Sequence, residues 1–415
     1  MFEKKTPTHI PMDQFASANG MLAFEGYNVR ELWEMAGRVP FYAYSHSVIE
    51  QKIELLRAKL PTKIKLHYAI KANPMPAVVD FVAKKVDGLD LASLKELRVA
   101  VASGMKPEQI SFAGPAKSES DLRGAVASGV VINVESPTEL KRVSLIAEEL
   151  NKTARIAIRV NPDFELKASG MKMGGGPKQF GIDAEQVPEI LKSLNHPQLR
   201  YEGLHIFSGS QNLKPDAIID AHNNTFALAN RIRLDSGKRI CKLNIGGGLG
   251  IPYFPGEKKL PLEDISNNLE RLLIEFADLV EESEVVIELG RYLVGESGIY
   301  VCQITDKKIS RDHTYLMCDG GLHHHLSNSG NFGQVIRKNY PVTAQPFSLK
   351  EPLVSEEIVT AVGPLCTPLD TLAEKMLLPK TNIGDFLVVF QSGAYGYTAS
   401  PLNFLSHPHP VEIFL

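Results

Sequence analysis

A single lysine closes the apolar run LHYAIKANP, in which Lys71 stands three residues before Pro74. Most lysines that leave a strand lay the alkyl stem along apolar surface and keep the ammonium in water. A lysine held in an apolar cleft behaves differently, because burial disfavours its charged form and leaves the amine able to condense with a carbonyl. Lys71 is therefore a candidate nucleophile whose role depends on its neighbours.

Other polar residues close the apolar runs along the chain. In chain order they are Asp90 with Ser93, Glu135, Asn161, His205 with Ser208, the turn Gly246, Gly247 and Gly248, and Glu288 with Arg291. Taken alone, His205 is typical of a satisfied core histidine, and Glu288 of an ordinary carboxylate at the end of a strand. Only the set of these residues together indicates a chemical function.

The combination fits a phosphate-bearing aromatic aldehyde. The backbone amides of glycines, which have no Cβ in the way, can form an anion-binding concavity. Arg291 can add two parallel charge-assisted hydrogen bonds to a phosphate. Glu288 could keep a pyridine nitrogen protonated, while His205 covers a ring face and Ser208 reaches the phosphate. Together with the Lys71 amine, these groups predict pyridoxal 5'-phosphate as the cofactor.

The elements that must position these residues follow an alternating pattern. Short β-rich apolar runs are each followed by a turn and a segment with helical spacing. The predicted strands lie at 63–70, 86–91, 109–113, 130–134, 155–160, 201–207, 242–245 and 285–289, and the helices between them at 77–85, 94–103, 118–128, 137–150, 185–194, 216–233 and 262–282. About eight such units in roughly 250 residues predict an α/β fold, the (β/α)8 TIM barrel, whose active site lies at the carboxyl ends of the strands.

A doubly wound sheet shows the same alternation, but the glycine cluster argues against it. Ile251 stands where a dinucleotide fingerprint needs its last glycine, and the cluster follows the seventh strand instead of the first. No Gly-Lys-Ser/Thr sequence follows it, so a P-loop is excluded.

After Arg291 the pattern changes to apolar runs without long helices, which predicts a mostly β domain. Its strands are expected at 298–304, 314–318, 358–362, 386–391 and 411–415, with turns and loops at 327–331 and 340–352. The N-terminal segment with its strand-like FYAYS is expected to complete this domain. The predicted boundaries are 44–291 for the barrel, and 1–43 with 292–415 for the β domain.

The composition narrows the class of protein. With 44% hydrophobic and 22% charged residues and a net charge of -3, the 415-residue chain has no basic excess for nucleic acid, and a small-molecule or protein substrate is favoured. No signal-peptide core or bilayer-spanning run is apparent, which predicts a cytoplasmic protein away from membranes. The widely spaced Cys241, Cys302, Cys318 and Cys366 argue against a disulfide framework or a zinc site.

Seven ordered motifs extend these observations over nearly the whole chain. They are YAIKANP, LDLASLKEL, GLHIFSGSQ, NIGGGLGIPY, ELGRYLV, GPLCTPLD and SGAYGYTAS. This set resembles the pyridoxal-phosphate-dependent decarboxylases of the alanine-racemase-like barrel fold, the group that includes diaminopimelate and ornithine decarboxylases.

The resemblance implies a role for each matching residue. Lys71 would condense with the cofactor aldehyde, His205 would stack on the cofactor ring, and Glu288 would pair with the ring nitrogen. The residues implied to hold the phosphate are Ser208, Gly248, Arg291 and Tyr395, and Asp90, Gly246 and Gly247 complete the candidate cofactor site. Leu289 stands where the family usually has proline, which we expect to leave its neighbours in place.

The resemblance also implies shared sites in a homodimer. Cys366 would come from the β domain of a partner subunit and return a proton to the substrate carbon after carbon dioxide leaves. A free cysteine is commonly an inert core residue, and only its place in GPLC raises Cys366 above that reading. Lys71, Cys366 and His205 are thus the candidate catalytic residues.

The candidate substrate residues are Thr367, Arg337 and Tyr395. Relatives that act on substrates with a charged distal end carry an acidic residue after the cysteine, where this chain has Thr367, and the arginine and tyrosine that hold a distal carboxylate after the DGG turn are missing from CDGGLHHHLSNSGNFG. A neutral pocket rejects a charged distal group, because a buried unpaired charge is costly.

The motifs DGGLHHH, GPLCTP, GMKMGGGPKQFG and SPLNFLSHPHP look most similar to a narrower subgroup. It contains the butirosin decarboxylase that acts on glutamate tethered to an acyl carrier protein, and the exosortase-associated decarboxylases. A carrier-tethered glutamate, neutral at its distal end, is therefore the favoured substrate. The alternatives are a diaminopimelate or diamine decarboxylase with another clamp, such as Arg337, and a non-catalytic carrier of pyridoxal phosphate.

Two further segments are open to interpretation. The run His323, His324 and His325 suggests a metal, but neighbouring side chains of an extended segment point to opposite faces, so no metal site is predicted. The glycine-rich loop 169–178 is interpreted as a mobile lid over the barrel, with a solvated connection as the alternative.

Overall fold

The computed structural model describes residues 8–15, 17–18, 21–165, 171–281, 283–348 and 355–415. These residues form two compact units. One consists of Gln51–Ile251 and Lys259–Leu293, and the other of the described parts of 1–50 and 294–415 together with Pro252–Lys258. No helix in the described ranges is long and apolar enough to cross a bilayer.

The first unit is a closed barrel of eight parallel strands, which confirms the predicted fold class. The first to eighth strands are Ile64–Ala69, Gly88–Leu91, Ile110–Phe112, Val131–Val134, Ala154–Asn161, Leu199–Ile206, Lys242–Asn244 and Glu284–Leu289. Each strand pairs with the next along the chain, and the eighth closes the ring by pairing Val285 with Ile64. Because all strands run in one direction, their carboxyl ends form one mouth.

Helices follow the strands as the spacing predicts. They are Pro76–Ala83, Leu94–Ala102, Glu119–Ser128, Pro137–Glu149, Val187–Ser193, Pro215–Ser236, Glu263–Glu275, Ala277–Val280 and Arg291–Val294, with His46–Lys59 before the first strand and short 3-10 turns at Ile70–Ala72 and Pro107–Gln109. Ser93, Ser118 and Ser136 each cap a helix by accepting the N3 amide. The single helix predicted over 262–282 is wrong, because the backbone leaves helical geometry at Phe276 (φ -106°, ψ 36°).

The sixth strand contains a β-bulge at Glu202. Tyr201 pairs with Ile156 and Gly203 with Ala157, so Glu202 is an extra residue with no partner on the fifth strand. A Cβ on Gly203 would lie 1.8 Å from the Lys242 carbonyl oxygen, so the close approach to the seventh strand requires glycine. Beyond the bulge, His205 pairs with Arg159, and both line the cleft at the barrel mouth.

The second unit is a mostly antiparallel sheet. Its strands are Phe41–Tyr44, Gly298–Ser310, His313–Cys318, Val342–Gln345, Glu356–Val362, Thr371–Pro379, Phe386–Val389 and Val411–Phe414, accompanied by the hairpin Ser17–Ala18 and Met21–Leu22, the helix Val29–Met35, and the 3-10 turns Gly295–Ser297 and Phe404–Ser406. The FYAYS segment pairs with Gly298–Ser310 and with Val411–Phe414. The predicted completion of the sheet by an N-terminal strand is confirmed.

Two strands of this sheet escape the sequence pattern. Val342–Gln345 lies in the segment predicted as a loop. The prolines on either side of it are typical of loops, but its four residues pair with Phe386–Val389. Thr371–Pro379 is rich in Leu, Ala, Glu, Lys and Met, which favour helices, but pairing with Glu356–Val362 decides its conformation.

Candidate active site

The first strand delivers Lys71 to the barrel mouth. The strand ends at Ala69 and one 3-10 turn follows, fixed by hydrogen bonds that the Asn73 carbonyl accepts from the Tyr68 hydroxyl (2.8 Å) and the Asn73 side chain from the Met75 amide (3.1 Å). The Lys71 side chain is 39% exposed, and its Nζ lies 3.7 Å from the carboxylate of Glu288. In this structure the amine is therefore paired with a carboxylate and is not enclosed by apolar side chains alone.

The cleft around this amine encloses about 540 Å³, part of it open to solvent. Its lining combines a few charged groups with apolar side chains: Lys71, Asp90, Leu91, Ala92, Ala113, Gly114, Pro115, Arg159, Met173, Phe180, His205, Phe207 and Glu288. A concave site with convergent polar groups on apolar walls is typical of a small-molecule site.

Glu288 is the buried charge at the centre of the cleft. Its Oε2 lies 3.1 Å from the Nε2 of His205 and accepts a weaker hydrogen bond from Asn244 Nδ2 at 3.4 Å. Burial acts to raise the Glu288 pKa, but the His205 hydrogen bond and the charges of Lys71 and Arg159 outweigh it and lower the pKa to about 2. The carboxylate is therefore ionised at neutral pH and able to hold a cationic ring nitrogen.

His205 faces the cleft from the sixth strand. Nε2 contacts Glu288, whereas the buried Nδ1 has no hydrogen-bond partner among the described residues. The ring centroid lies 6.3 Å from that of Phe207. One face of the cleft thus presents an imidazole with an unsatisfied polar atom; its stacking on a cofactor ring stays a prediction.

The glycine turn after the seventh strand is held against its neighbours. The Gly246 amide donates to Asn244 Oδ1 at 2.8 Å, so this N–H is already used within the protein. The amides of Gly247 and Gly248 donate no hydrogen bond within the described part of the chain. A Cβ on Gly247 would lie 1.9 Å from the Glu288 carbonyl oxygen, so only glycine allows this packing. Two of the three predicted cradle amides thus have no acceptor among the described residues, and their binding of a phosphate stays a prediction.

The remaining candidates on the barrel also lie at strand ends. Arg291 opens the short helix after the eighth strand. Ser208 follows the sixth strand, is buried, and accepts the Met173 amide through its carbonyl at 3.0 Å. Asp90 lines the cleft, with its Oδ2 3.2 Å from Nδ1 of the buried His67, in an orientation that is not a hydrogen bond.

A buried charge network supports the third to fifth strand ends. Glu135 accepts hydrogen bonds from Arg159 Nη1 (2.8 Å), the Gly114 amide (2.6 Å) and the Gly181 amide (3.1 Å). Although burial acts to raise it, the pKa of Glu135 is lowered, chiefly by the charges of Arg159 and Lys117. The network fixes Arg159 as a second cation at the cleft.

The loop after the fifth strand is tied to the barrel where it is described. Met171–Lys172 pair with Gly209–Ser210, and Asn161 binds the next turn by accepting the Gly175 amide (3.2 Å) and donating to the Gly176 carbonyl (2.9 Å). Of the predicted lid 169–178, residues 169 and 170 lie outside the described residues. The described remainder supplies Met173 to the cleft wall, and its motion stays a prediction.

The β unit carries the other candidates. Cys366 is exposed in a turn where Thr367 Oγ1 accepts the Leu369 amide at 3.3 Å. Tyr395 has a left-handed backbone (φ 55°), and its carbonyl accepts the Ser327 hydroxyl. Arg337 donates to the Ser329 and Thr371 carbonyls and to Asn339 Oδ1. Its guanidinium is thus engaged inside this unit, which leaves it poorly placed to clamp a substrate.

Two of the three consecutive histidines have hydrogen-bond partners of their own, whereas the buried ring nitrogens of His323 have none among the described residues. His324 bridges the Tyr300 hydroxyl (2.9 Å) and the Pro408 carbonyl (2.8 Å), and His325 Nε2 lies 2.9 Å from the Ser392 hydroxyl. Burial, followed by the nearby His324 and His407, lowers the pKa of His323 to about 3. The run is a buried structural element; within the described residues no three metal-binding side chains converge.

Sequence reasoning assigned no role in the site to five residues: His67, Arg159, Phe180, Phe207 and Asn244. A signal for Arg159 was present, because it is one of two arginines in the largely apolar run ARIAIRVN and stands near its end, where a buried charge must point into the barrel or pair there. Asn244 likewise interrupts an apolar run just before the glycine turn. No signal identified His67, whose partner Asp90 lies on another strand.

Comparison with known proteins supplies an independent result. Residues 46–295 match the family described as pyridoxal-dependent decarboxylase, pyridoxal binding domain. The chain is 36% identical over 378 residues to the L-glutamyl-(BtrI acyl-carrier protein) decarboxylase of Niallia circulans, covering 90% of this chain and 88% of that protein. It is 30% identical to the 2-((L-alanin-3-ylcarbamoyl)methyl)-2-hydroxybutanedioate decarboxylase of Staphylococcus aureus, covering 93% and 96%.

Diaminopimelate decarboxylases are similar as well. That of Aquifex aeolicus is 31% identical over 408 residues, covering 96% of this chain and 91% of the relative. The crystal structure of the diaminopimelate decarboxylase of M. jannaschii superposes with a TM-score of 0.84 at 25% identity, over 97% of this chain and 92% of that one.

Proposed function

Because the chain belongs to the family of pyridoxal-dependent decarboxylases, we propose that its substrate is an L-amino acid with an uncharged distal end, such as glutamate tethered through its side chain to an acyl carrier protein. The chain is an amino-acid decarboxylase that uses pyridoxal 5'-phosphate. The observation that carries the substrate proposal is the Cys366 turn, in which the residue after the cysteine is the neutral Thr367.

The barrel mouth fits the cofactor. A carboxylate with a pKa of about 2 suits a protonated ring nitrogen, and the amides of Gly247 and Gly248 suit a phosphate. Lys71 offers the amine for the aldehyde, and the buried, unpartnered Nδ1 of His205 marks a space for a polar ligand. Ser208, Arg291, Tyr395 and Asp90 are the further residues proposed to hold the cofactor.

The cofactor, when bound, supplies an electron-poor ring that accepts the electron pair left behind when the substrate carboxylate departs as carbon dioxide. The protein supplies the rest of the mechanism. Glu288 remains ionised, because His205 and Asn244 hydrogen-bond its carboxylate, and so it stabilises positive charge on the ring. The apolar walls from Phe180, Phe207 and Met173 keep water from the reacting carbon.

Proton delivery is assigned to the β unit. We propose a homodimer in which Cys366 of one copy reaches the barrel mouth of the other and gives its thiol proton to the substrate carbon. The exposure of Cys366 supports this role, because a proton donor must reach the substrate. The amine of Lys71 would hold the cofactor aldehyde when no substrate amine is bound.

One relative supports the neutral distal end, because it acts on a glutamyl group joined to an acyl carrier protein. The other relative acts on an alanine joined through an uncharged carbamoyl group to a hydroxybutanedioate, which carries two carboxylates, so it supports only an uncharged linkage next to the amino acid. The internal engagement of Arg337 also favours this proposal over a distal carboxylate clamp.

The test compares carbon dioxide release from glutamyl carrier protein, diaminopimelate, ornithine and lysine under identical conditions. We expect the largest kcat/KM for the tethered glutamate. A preference for a free dibasic amino acid or diacid would contradict the substrate proposal while leaving decarboxylation intact.

The second candidate is diaminopimelate decarboxylation, favoured by relatives at 31% identity. If Arg337 clamps the distal carboxylate of a diacid, Arg337→Glu should abolish turnover of diaminopimelate. Unchanged turnover in that variant would remove Arg337 from the substrate site.

A further inference from the structure

A buried carboxylate lies beneath the turn that carries Cys366. Asp370 is 2% exposed, and its two oxygens accept backbone hydrogen bonds from different turns. Oδ2 accepts the Leu365 amide at 2.8 Å, directly before the cysteine, and Oδ1 accepts the Leu322 amide at 2.5 Å. The carboxylate therefore joins the Cys366 turn to the turn that precedes the three histidines.

The fit around this carboxylate leaves no room for adjustment. A Cβ on Gly363 would lie 2.4 Å from Asp370 Oδ2, and a Cβ on Gly321 would lie 2.3 Å from Oδ1. Both distances are far below van der Waals contact, so each turn approaches the carboxylate as closely as only glycine permits. Displacement of either turn would break its hydrogen bond.

The backbone of Asp370 fixes the same turn. Its carbonyl accepts the Gly363 amide at 3.1 Å, and its amide donates to the Thr367 carbonyl at 3.3 Å. Leu365, which carries the amide held by the carboxylate, is buried, whereas the adjacent Cys366 is exposed. The exposed Cys366 therefore directly follows a buried residue whose amide is held by the Asp370 side chain, in a turn that the Asp370 backbone also holds.

The other turn is held by further hydrogen bonds. It begins at Leu322, and two residues further on the His324 ring is bound on one side to Tyr300 and on the other to Pro408. A carboxylate that accepts amides from both turns couples the position of the Cys366 turn to that of the turn at Leu322.

We infer that Asp370 is a positioning residue for Cys366, setting where the thiol stands through the Leu365 amide. This inference rests on the role of Cys366 under the proposed function, but the position of the thiol can be measured without turnover. Of the four described cysteines, only Cys241 and Cys366 are exposed. A Cys241→Ser background therefore leaves Cys366 as the single exposed thiol.

The experiment measures alkylation of Cys366 by iodoacetamide in the substrate-free holoenzyme, followed by intact-protein mass spectrometry. In Asp370→Asn one oxygen becomes an amide donor that cannot accept a backbone N–H. We expect alkylation to accelerate about ten-fold, because a charge-assisted hydrogen bond that holds the turn is lost. The kcat for decarboxylation should fall while KM stays near its original value.

Asp385 provides a matched control. It is also buried in the β unit and also accepts two backbone amides, from Phe347 (2.9 Å) and Asn382 (2.7 Å). Asp385→Asn should lower thermal stability comparably and leave Cys366 alkylation within about two-fold of the parent. Gly363→Ala is a second test variant, because its methyl group would displace the carboxylate but retain the charge.

The outcomes distinguish the positioning role of Asp370 from proton donation by Cys366. Unchanged alkylation in both Asp370→Asn and Gly363→Ala, or equal acceleration in Asp385→Asn, overturns the positioning role. Accelerated alkylation in the two test variants with unchanged kcat supports the positioning role and instead contradicts proton donation by Cys366.

Discussion

At the scale of single residues, the site depends on one carboxylate that three neighbouring side chains keep ionised. Glu288 is 6% exposed, an environment that on its own favours the neutral acid. His205, Lys71 and Arg159 reverse that preference. A group that remains charged in a buried site is a pre-oriented partner for a ring cation, and this is the chemistry that the cofactor requires.

The pKa of Glu288 predicts an acid-sensitive interaction. Because the folded-state pKa of about 2 lies below the ordinary 4.5, its ionisation stabilises the fold above pH 4.5, and the stabilisation is lost as the pH falls toward 2. The free energy of unfolding of the cofactor-free protein should thus exceed that of Glu288→Gln by a margin that shrinks over this range. Denaturant titrations at successive pH values measure it; a constant margin would contradict the prediction.

Glu288→Gln should also reduce kcat by about 10²- to 10³-fold, since a neutral amide stabilises a ring cation poorly. Steady-state assays on the cofactor-saturated variant measure the loss. Glu284→Gln, a carboxylate on the same strand that pairs with Lys242 instead, is the control and should retain activity near that of the parent.

Asn244→Ala should weaken cofactor binding about 5- to 100-fold, because the side chain supports both Glu288 and the Gly246 amide. Equilibrium binding of pyridoxal phosphate, followed by absorbance, provides the measurement. Asn133→Ala removes an equally buried barrel asparagine that donates to Ser111 instead. If both variants bind alike, Asn244 has no specific role.

Sequence reasoning located the site residues that stand at the ends of strands. It missed residues whose role depends on contacts with another strand. Lys71, His205 and Glu288 stand at or near the ends of apolar runs, and knowing the barrel topology brings those ends together. The His67–Asp90 contact joins two strands at a register that no local pattern specifies.

At the scale of elements, the loops at the barrel mouth are joined to one another as well as to their own strands. Glu135 connects the ends of the third and fifth strands, and Asn161 holds the glycine-rich turn. The predicted alternation gave the eight barrel strands and most helices correctly, because its periods are local, but it joined two helices over 262–282. It missed Val342–Gln345 and Thr371–Pro379, whose strand conformation depends on distant partners.

Asn161→Ala should release the turn at Gly175 and Gly176 and expose the nearby Lys178 to proteolysis. We expect tryptic cleavage after Lys178 to be about 5- to 10-fold faster, because two backbone hydrogen bonds are lost. Mass spectrometry of timed digests measures it. Asn268→Ala, on the outer helix Glu263–Glu275, should leave the rate unchanged, and equal rates in both variants would contradict the role of Asn161.

At the scale of the whole molecule, the proposed chemistry requires two units of different architecture. The barrel carries the Lys71 amine, the Glu288 carboxylate and the proposed phosphate cradle, whereas the Cys366 thiol is on the β unit. Under the proposed dimer, each site takes Lys71 from one copy and Cys366 from the other.

Mixed dimers test that arrangement. Lys71→Ala and Cys366→Ala should each be nearly inactive alone, and mixing them under conditions of subunit exchange should restore about one quarter of the parent activity, because half of the dimers then hold one intact site of two. Activity assays before and after exchange measure the recovery. Absence of recovery despite verified exchange would mean that one chain supplies both residues.

The bulge at Glu202 has a consequence for how this barrel tolerates insertions and deletions. Side chains alternate in and out along a strand, and the extra residue shifts that count by one before His205. Because Tyr201 and Gly203 already pair with consecutive residues of the fifth strand, deleting Glu202 would leave a regular ladder in which His205 still pairs with Arg159. The direction of the imidazole is thus set by its pairing partner and not by its distance in sequence from the start of the strand, so a relative could lack the residue at Glu202 and still direct the histidine into the cleft.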